Sequence, residues 1–349
     1  RFAAIGPIGG WASFWSYGGG MPTFQSPTPI ESLLLRSCSA SDTVQLLSNL
    51  ANTGVYVLHD GTDITVPVAQ ARFMRSRLAG FHTNFAYFEN ASAGASAEES
   101  ADWQPMMEFF KRSELPPAES QTIVDFATAN PGVSSRYGWL AIEAQLQPLA
   151  VSRVVMRQDV DTRSFVGQTT NVARLAIDVA HLPPGQPIDV SLDGQQLDWI
   201  PWPEEVPQLW FARTENDWEV APPPSPRVKG PARNGMFKSV FDRDVLLVYG
   251  TGGTDEEDRW AEAKARYDAE TFLYRGNGHL EVVADTEFDP IGTIGRNVVL
   301  YGNADTNAAW SQLLGDCPVQ VRRGEGRVGE RAETRDGPAG VMAYPRAAS

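Results

Sequence analysis

The chain has 349 residues, is 42% hydrophobic, and carries a formal net charge of −14 with a pI near 4.8. That length and apolar content support two or three domains, each with its own core. The acidic balance repels phosphate backbones and anionic lipid, which argues against nucleic-acid and membrane partners, and no run of about 18 apolar residues is present to form a membrane span.

Residues 1–115 alternate strand and helix signals. Arg1 leads straight into FAAIGPIGG, a buried strand followed by a Gly-rich turn. A core strand so close to the first residue carries the expectation of a missing N-terminal segment that would pair with the sheet. TPIESLLLRS and SDTVQLLSNLA have helical apolar spacing, with Ser41 and Asp42 as candidate caps. Gly54–Asp60 is a short apolar run between turn residues, which suits a central strand of a parallel sheet. Val68, Ala71, Phe73, Met74 and Leu78 form the apolar stripe of a helix, NFAYFENA alternates as a strand, and DWQPMMEFFKRSE closes the segment as a helix. Alternating strand and helix implies a parallel α/β sheet.

Residues 116–134 read as a linker with one short helix over SQTIVDFATA. Over 135–215, short β-type runs recur between turn signals such as PPG and DG, the pattern of a β-sandwich-like domain. Residues 216–235 are a Pro-rich linker. Residues 236–330 return to a small α/β domain, in which Thr254 and Glu257 make a capping box for a long helix that stops near Gly276. Residues 331–349 are a tail. The fold class expected is therefore α/β, with a β-sandwich-like domain between two α/β segments.

The most specific segment is HDGTDITVP. His59 and Asp60 end an apolar strand, Asp63 lies in the turn after it, and Val66 and Pro67 lead into a helix. The string resembles the H-G-x-x-D-x-x-V-P turn of α/β-hydrolases, with Asp60 where that string has Gly. On these residues the chain resembles the prolyl oligopeptidase family of serine hydrolases, in particular its large bacterial peptidases and esterases. RFAAIGPIGGWASFWSY is similar to the strand that follows that family's nucleophile helix, and DWQPMMEFF to its closing helix. LLVYGTGGTDEEDRW and NVVLYGNADTNAAW resemble the family's long C-terminal region, so the likeness covers most of the chain.

The resemblance implies that residues 1–115 are the C-terminal half of an α/β-hydrolase domain, a partial hydrolase sheet acting on a peptide or ester bond. It makes Asp63 the triad acid that orients a base histidine; a helix cap is the competing role for this residue. It places Trp11, Trp15 and Tyr17 at the border of the cleft as substrate-binding residues, and it implies a secreted or periplasmic site and no cofactor. Two departures stand against activity. No G-x-S-x-G elbow occurs in the chain, and Ala95, after Gly94, stands where the family keeps its histidine. A methyl group cannot accept a hydroxyl proton, so general acid–base catalysis lacks its agent, and the chain is expected to be inactive alone. Four histidines are present, and His59, His82, His181 and His279 read as structural or surface residues rather than substitutes. Glu98 and Glu99 read as a solvated loop.

Of the remaining signals, YGTGGTDEED has the strand–turn–helix form of an anion site, yet the acidic run Asp255–Asp258 repels phosphate and no Lys completes a phosphate loop. Trp199, Trp202, Trp210 and Trp218 are either an exposed binding row or sandwich packing. Cys38 and Cys317 are too few for a disulfide framework and read as buried free thiols, and no metal site is expected. The alternative function is a non-catalytic peptide- or glycan-binding scaffold derived from the same fold.

Overall fold

A computed structural model describes residues 2–13, 15–16, 26–90, 103–215, 217–226, 228–232, 237–334, 342 and 344. The chain is an α/β protein with several sheets, and it divides into two compact units, Arg1–Ala232 and Arg233–Ser349.

The first unit opens with a three-stranded parallel sheet in the order β1 (Ala4–Ile5), β2 (Gly54–Asp60), β3 (Phe85–Asn90). Between β1 and β2 lie α1 (Pro29–Cys38), with its Thr28–Glu31 capping box, and a run of 3-10 helix over Thr43–Leu50 capped by Asp42. Helix α2 (Ala69–Leu78) joins β2 to β3, and α3 (Gln104–Arg112) follows β3. The central strand is buried along its length because both faces are covered. Val55 and Val57 pack with Leu47, Ala71 and Leu78, while Tyr56 and Leu58 pack with Met106 and Phe109. This is why Gly54–Asp60 reads as a continuous apolar run rather than as an alternation.

The rest of the unit is a β-sandwich. One five-stranded sheet has the order β11 (Gln195–Ile200), β10 (Ile188–Leu192), β8 (Ser164–Thr170), β7 (Ser152–Asp159), β4 (Ile123–Thr128). The other has the order β13 (Trp218–Ala221), β12 (Gln208–Arg213), β9 (Val172–Asp178), β6 (Leu140–Gln145), β5 (Arg136–Tyr137). Phe126, Met156 and Phe165 from the first sheet interlock with Ile142, Leu175 and Phe211 from the second. At about 1.5–3 kcal/mol for each large side chain taken from water, this cluster is the main source of stability in the unit.

Three expectations are corrected here. SQTIVDFATA is not a helix in a linker: Ile123–Thr128 is edge strand β4, paired antiparallel with β7. Val124 and Phe126 face the core while Ile123 is exposed, so the period is two rather than 3.6. The Pro-rich segment begins later than residue 216, because Trp218–Ala221 completes the second sheet. Cys38 is only half-buried, whereas Cys317 is buried.

Sheet and sandwich are joined by side chains that act as backbone. Asn49 donates from Nδ2 to the Ala127 carbonyl at 2.7 Å and accepts from the Ala127 N–H at Oδ1 at 2.9 Å. It covers the free edge of β4 as a neighbouring strand would. The Asn52 N–H donates to the Tyr137 hydroxyl at 2.9 Å.

In the second unit, β14 (Val245–Tyr249) is the centre of a parallel sheet between β15 (Glu281–Ala284) and β16 (Asn297–Tyr301). Helix α4 (Asp255–Gly276) starts at the Thr254–Glu257 capping box and ends where Asn277 turns left-handed at φ 51°. Its Ala265 packs with Val245 and Leu247, and Ala309 of α5 (Ala309–Leu314) lies on the other face with Leu246 and Val248. An antiparallel meander follows: β17 (Val319–Arg322), β18 (Glu325–Val328) and β19 (Arg331–Thr334). The last of these strands occupies residues expected to be tail.

Asn49→Ala removes both bonds to buried Ala127 and leaves its N–H and carbonyl without partners. The variant is expected to lose about 1–3 kcal/mol in urea unfolding; a loss below roughly 0.5 kcal/mol would show that the bridge contributes little.

Candidate site at the carboxyl end of the parallel sheet

The loops that leave β1 and β2 meet at the carboxyl ends of those strands. Ile8 bridges Leu58 in parallel, and the Gly9 N–H donates to the Leu58 carbonyl at 3.1 Å. Gly9 takes φ +55°, and a Cβ there would stand 3.6 Å from Oδ2 of Asp63. The carboxylate of Asp63 thus lies beside the loop after β1, at the end of the sheet where side chains converge. The β2–β3 register places Asn90 beside Asp60, at the same end of the sheet.

The turn holding Asp63 is tightly specified. Asp63 Oδ1 accepts from the Thr65 N–H at 2.7 Å and the Val66 N–H at 2.9 Å. Asp60 accepts from the Thr62 N–H and hydroxyl, and these two bonds hold its carboxyl below the usual range. His59 is 1% exposed, and its Nε2 lies 2.8 Å from the Val66 carbonyl. Nε2 is also 3.9 Å from Asp63 Oδ2, whose side chain is 23% exposed. Nε2 must carry a proton to donate to a carbonyl, and Nδ1 is buried with no hydrogen-bond partner among the described residues. His59 is therefore occupied in closing the turn and is not presented as a base. Oδ1 of Asp63 is thus fixed by backbone, while Oδ2 makes no hydrogen bond among the described residues. The helix-cap role weighed for Asp63 is not what the structure shows: α2 starts at Ala69 behind Val68, without a side-chain cap, and Asp63 braces the turn before it.

A second carboxylate lies next to His59 on β3. Glu89 is held by the Arg72 guanidinium of α2 and by the Tyr87 hydroxyl, which lower its pKa from the ordinary 4.5 to about 2. The pair ties α2 to the sheet directly behind the acid turn. The sequence offered a signal for it only as an alternating Tyr87–Glu89 pair, without showing which helix would face it.

Trp11 and Trp15 are half-buried in the loop after β1, where the neighbouring Ala12 N–H donates to Oε1 of Gln70 at 3.3 Å. Tyr17, Gly94, Ala95, Glu98 and Glu99 lie outside the described residues. His82 sits at the opposite end of the sheet, with Nε2 2.9 Å from the Thr53 carbonyl. A cavity of about 360 Å³ also lies toward that end, lined by Gln45, Ser48, Arg77 and Arg153 among others, away from Asp63. His181 is half-buried against Gln158 rather than a free surface residue, while His279 is exposed.

The tryptophans form no exposed row. Trp218 is buried and donates to Asp193, Trp202 lies under the Arg163 guanidinium, and Trp199 and Trp210 are on opposite sheets. The YGTGGTDEED turn is closed on itself: the Gly252 N–H donates to the Thr306 carbonyl, Gly253 to Asp258 and Thr254 to Glu257. At Gly250 a Cβ would collide with the Thr306 carbonyl oxygen, so the loop after β16 packs directly against this turn. Among the described residues no group of three or more His, Cys, Asp or Glu is placed to hold a metal, and no helix is long and apolar enough to cross a membrane.

Compared with models of protein families, with curated protein sequences and with solved structures, the chain gives no match. The site must be judged on its own geometry.

Two outcomes follow. Long-range ¹H–¹⁵N NMR is expected to find a proton on His59 Nε2; a ring with no proton there could not make the bond to Val66 and would remove this account of the turn. Because the Glu89 pKa is depressed, its ion pair stabilises the fold above the ordinary carboxyl value and is lost as pH falls from 4.5 toward 2. The stability difference between the native chain and Arg72→Met is therefore expected to be constant at neutral pH and to shrink across that acid window. A difference that persists unchanged at pH 2 would contradict it.

Proposed function

We propose that the parallel-sheet layer carries the acid limb of a serine-hydrolase site of prolyl oligopeptidase type, built for a peptide or ester bond. The observation that supports this reading most is the asymmetric Asp63 carboxylate. It stands at the carboxyl end of the central strand with Oδ1 anchored by two N–H groups and Oδ2 turned toward the loop after β1. A carboxylate that serves a base histidine needs this division: one oxygen anchored, the other free to accept from the imidazole and to stabilise the imidazolium. In this role Asp63 orients and does not itself transfer a proton. Trp11 and Trp15 border the same end, as wall residues for an apolar substrate group.

The base is the element this chain does not supply. Ala95 occupies the position the resemblance gives to the histidine, His59 is committed to Val66, and the sequence holds no G-x-S-x-G elbow. The chain by itself is accordingly without a proton-transfer agent and without an activated nucleophile.

The test restores the imidazole and reads its charge rather than turnover. In Ala95→His the new ring is expected to titrate about one unit above an ordinary histidine, because a carboxylate within reach favours the imidazolium. Adding Asp63→Asn is expected to return it to near 6.5. Equal titration in the two variants would refute the assignment of Asp63. The native chain is expected to resist labelling by a fluorophosphonate probe, and robust labelling would show a nucleophile and base that this reading omits.

A further inference from the structure

Helix α4 is apolar on two faces. Ala261, Ala265, Ala269 and Phe272 face its own sheet. On the far side Trp260, Tyr267 and Tyr274 are 60%, 64% and 89% exposed. These three recur every seven residues, and at about 100° per residue they fall within an arc of roughly 40°. Ala263 and Glu270, both exposed, interleave with them, and exposed Glu256 precedes them. The series 256, 260, 263, 267, 270, 274 has the 4-3-4-3-4 spacing of a helix–helix seam. A single large aromatic in water needs no explanation, but three on one stripe of a capped 22-residue helix do.

We propose that this stripe is a homodimer interface, in which α4 packs antiparallel against α4 of a second copy of the chain. The proposal is independent of the hydrolase reading and concerns the other unit.

The series is symmetric about its midpoint, so a two-fold axis brings it onto itself in a single register. In that register the small Ala263 lies opposite the large Tyr267 of the second copy, and Trp260 lies opposite Glu270. Large meets small at the centre, as interdigitating seams require. The charges agree with the same register. Arg259 is exposed beside Trp260, and among the described residues its guanidinium is held by the Asp255 carbonyl of its own turn alone. Across the seam it meets Glu270 of the second copy, which is exposed and acidic, and the symmetry makes two such pairs. The cations nearest the axis would otherwise repel their counterparts, but each is already neutralised on its own helix: Lys264 by Asp268 and Arg266 by Glu262. Antiparallel helices also oppose their macrodipoles favourably. One helix seam is a small contact, at or below the roughly 1,200 Å² of stable complexes, so association on the order of 10 µM is expected.

Sedimentation velocity on the full chain, from about 5 to 500 µM, tests this. The native chain is expected to show a reversible monomer–dimer equilibrium. Trp260→Ser with Tyr267→Ser is expected to remain monomeric. Arg259→Glu and Glu270→Arg are each expected to weaken association about tenfold or more, and the two together to restore it to within about threefold, with unchanged helical circular dichroism throughout. That rescue separates an interface from a merely structural role. A monomer over the whole range, a dimer indifferent to these changes, or a double exchange that fails to restore association would each overturn the proposal.

Discussion

The bond from His59 to the Val66 carbonyl organises the carboxyl end of the central strand in the first unit. It closes the turn from Gly61 to Val66 against a strand buried on both faces, and it does so from inside the core, where an imidazole N–H with no competing water is a strong donor. With the Val66 carbonyl fixed, the Val66 and Thr65 N–H groups point at Asp63, and the carboxylate has one orientation rather than several. A histidine is suited to this position because its ring reaches across the turn to the Val66 carbonyl.

Around this turn the fold separates stability from presentation. The sandwich supplies the large apolar core, and Asn49 and Asn52 lend the sheet some of that stability through bonds to β4 and Tyr137. The small parallel sheet can then end in loops that satisfy their own polar groups locally. The Glu89–Arg72 pair plays a related part, anchoring α2 behind the site with charged groups left at the surface, where desolvation is cheap. In the second unit the equivalent strand–turn–helix junction has been closed instead: the Thr306 carbonyl occupies the hollow over Gly250 and Gly252, and the acidic first turn of α4 supplies its own cap.

Much of this was legible in the sequence because the signals were local. Gly54–Asp60 announced a central strand through unbroken apolarity, Thr254 and Glu257 announced a helix start through a reciprocal cap, and Asp63 stood out by its place between strand and helix. The misreadings share a different cause. SQTIVDFATA carries helix-compatible residues, and only its pairing with β7, distant in sequence, makes it a strand. The segment SDTVQLLSNLA has helical spacing but is tightened into 3-10 turns, where Asn49 is drawn to Ala127. His59 was read as structural and is so, but its particular partner, the Val66 carbonyl, depends on a ring rotation that no spacing encodes. The tryptophans likewise gave no sign that they would be divided between two sheets.

The proposal at the centre of this account is that Asp63 Oδ2 would accept from an imidazole placed at residue 95. A crystal structure of the Ala95→His variant tests it most directly. The account predicts a ring nitrogen of the new histidine about 2.7–3.2 Å from Asp63 Oδ2, with Oδ1 still bound to the Thr65 and Val66 N–H groups. A histidine turned away from the turn, with Asp63 Oδ2 bonded to some other donor, would contradict it.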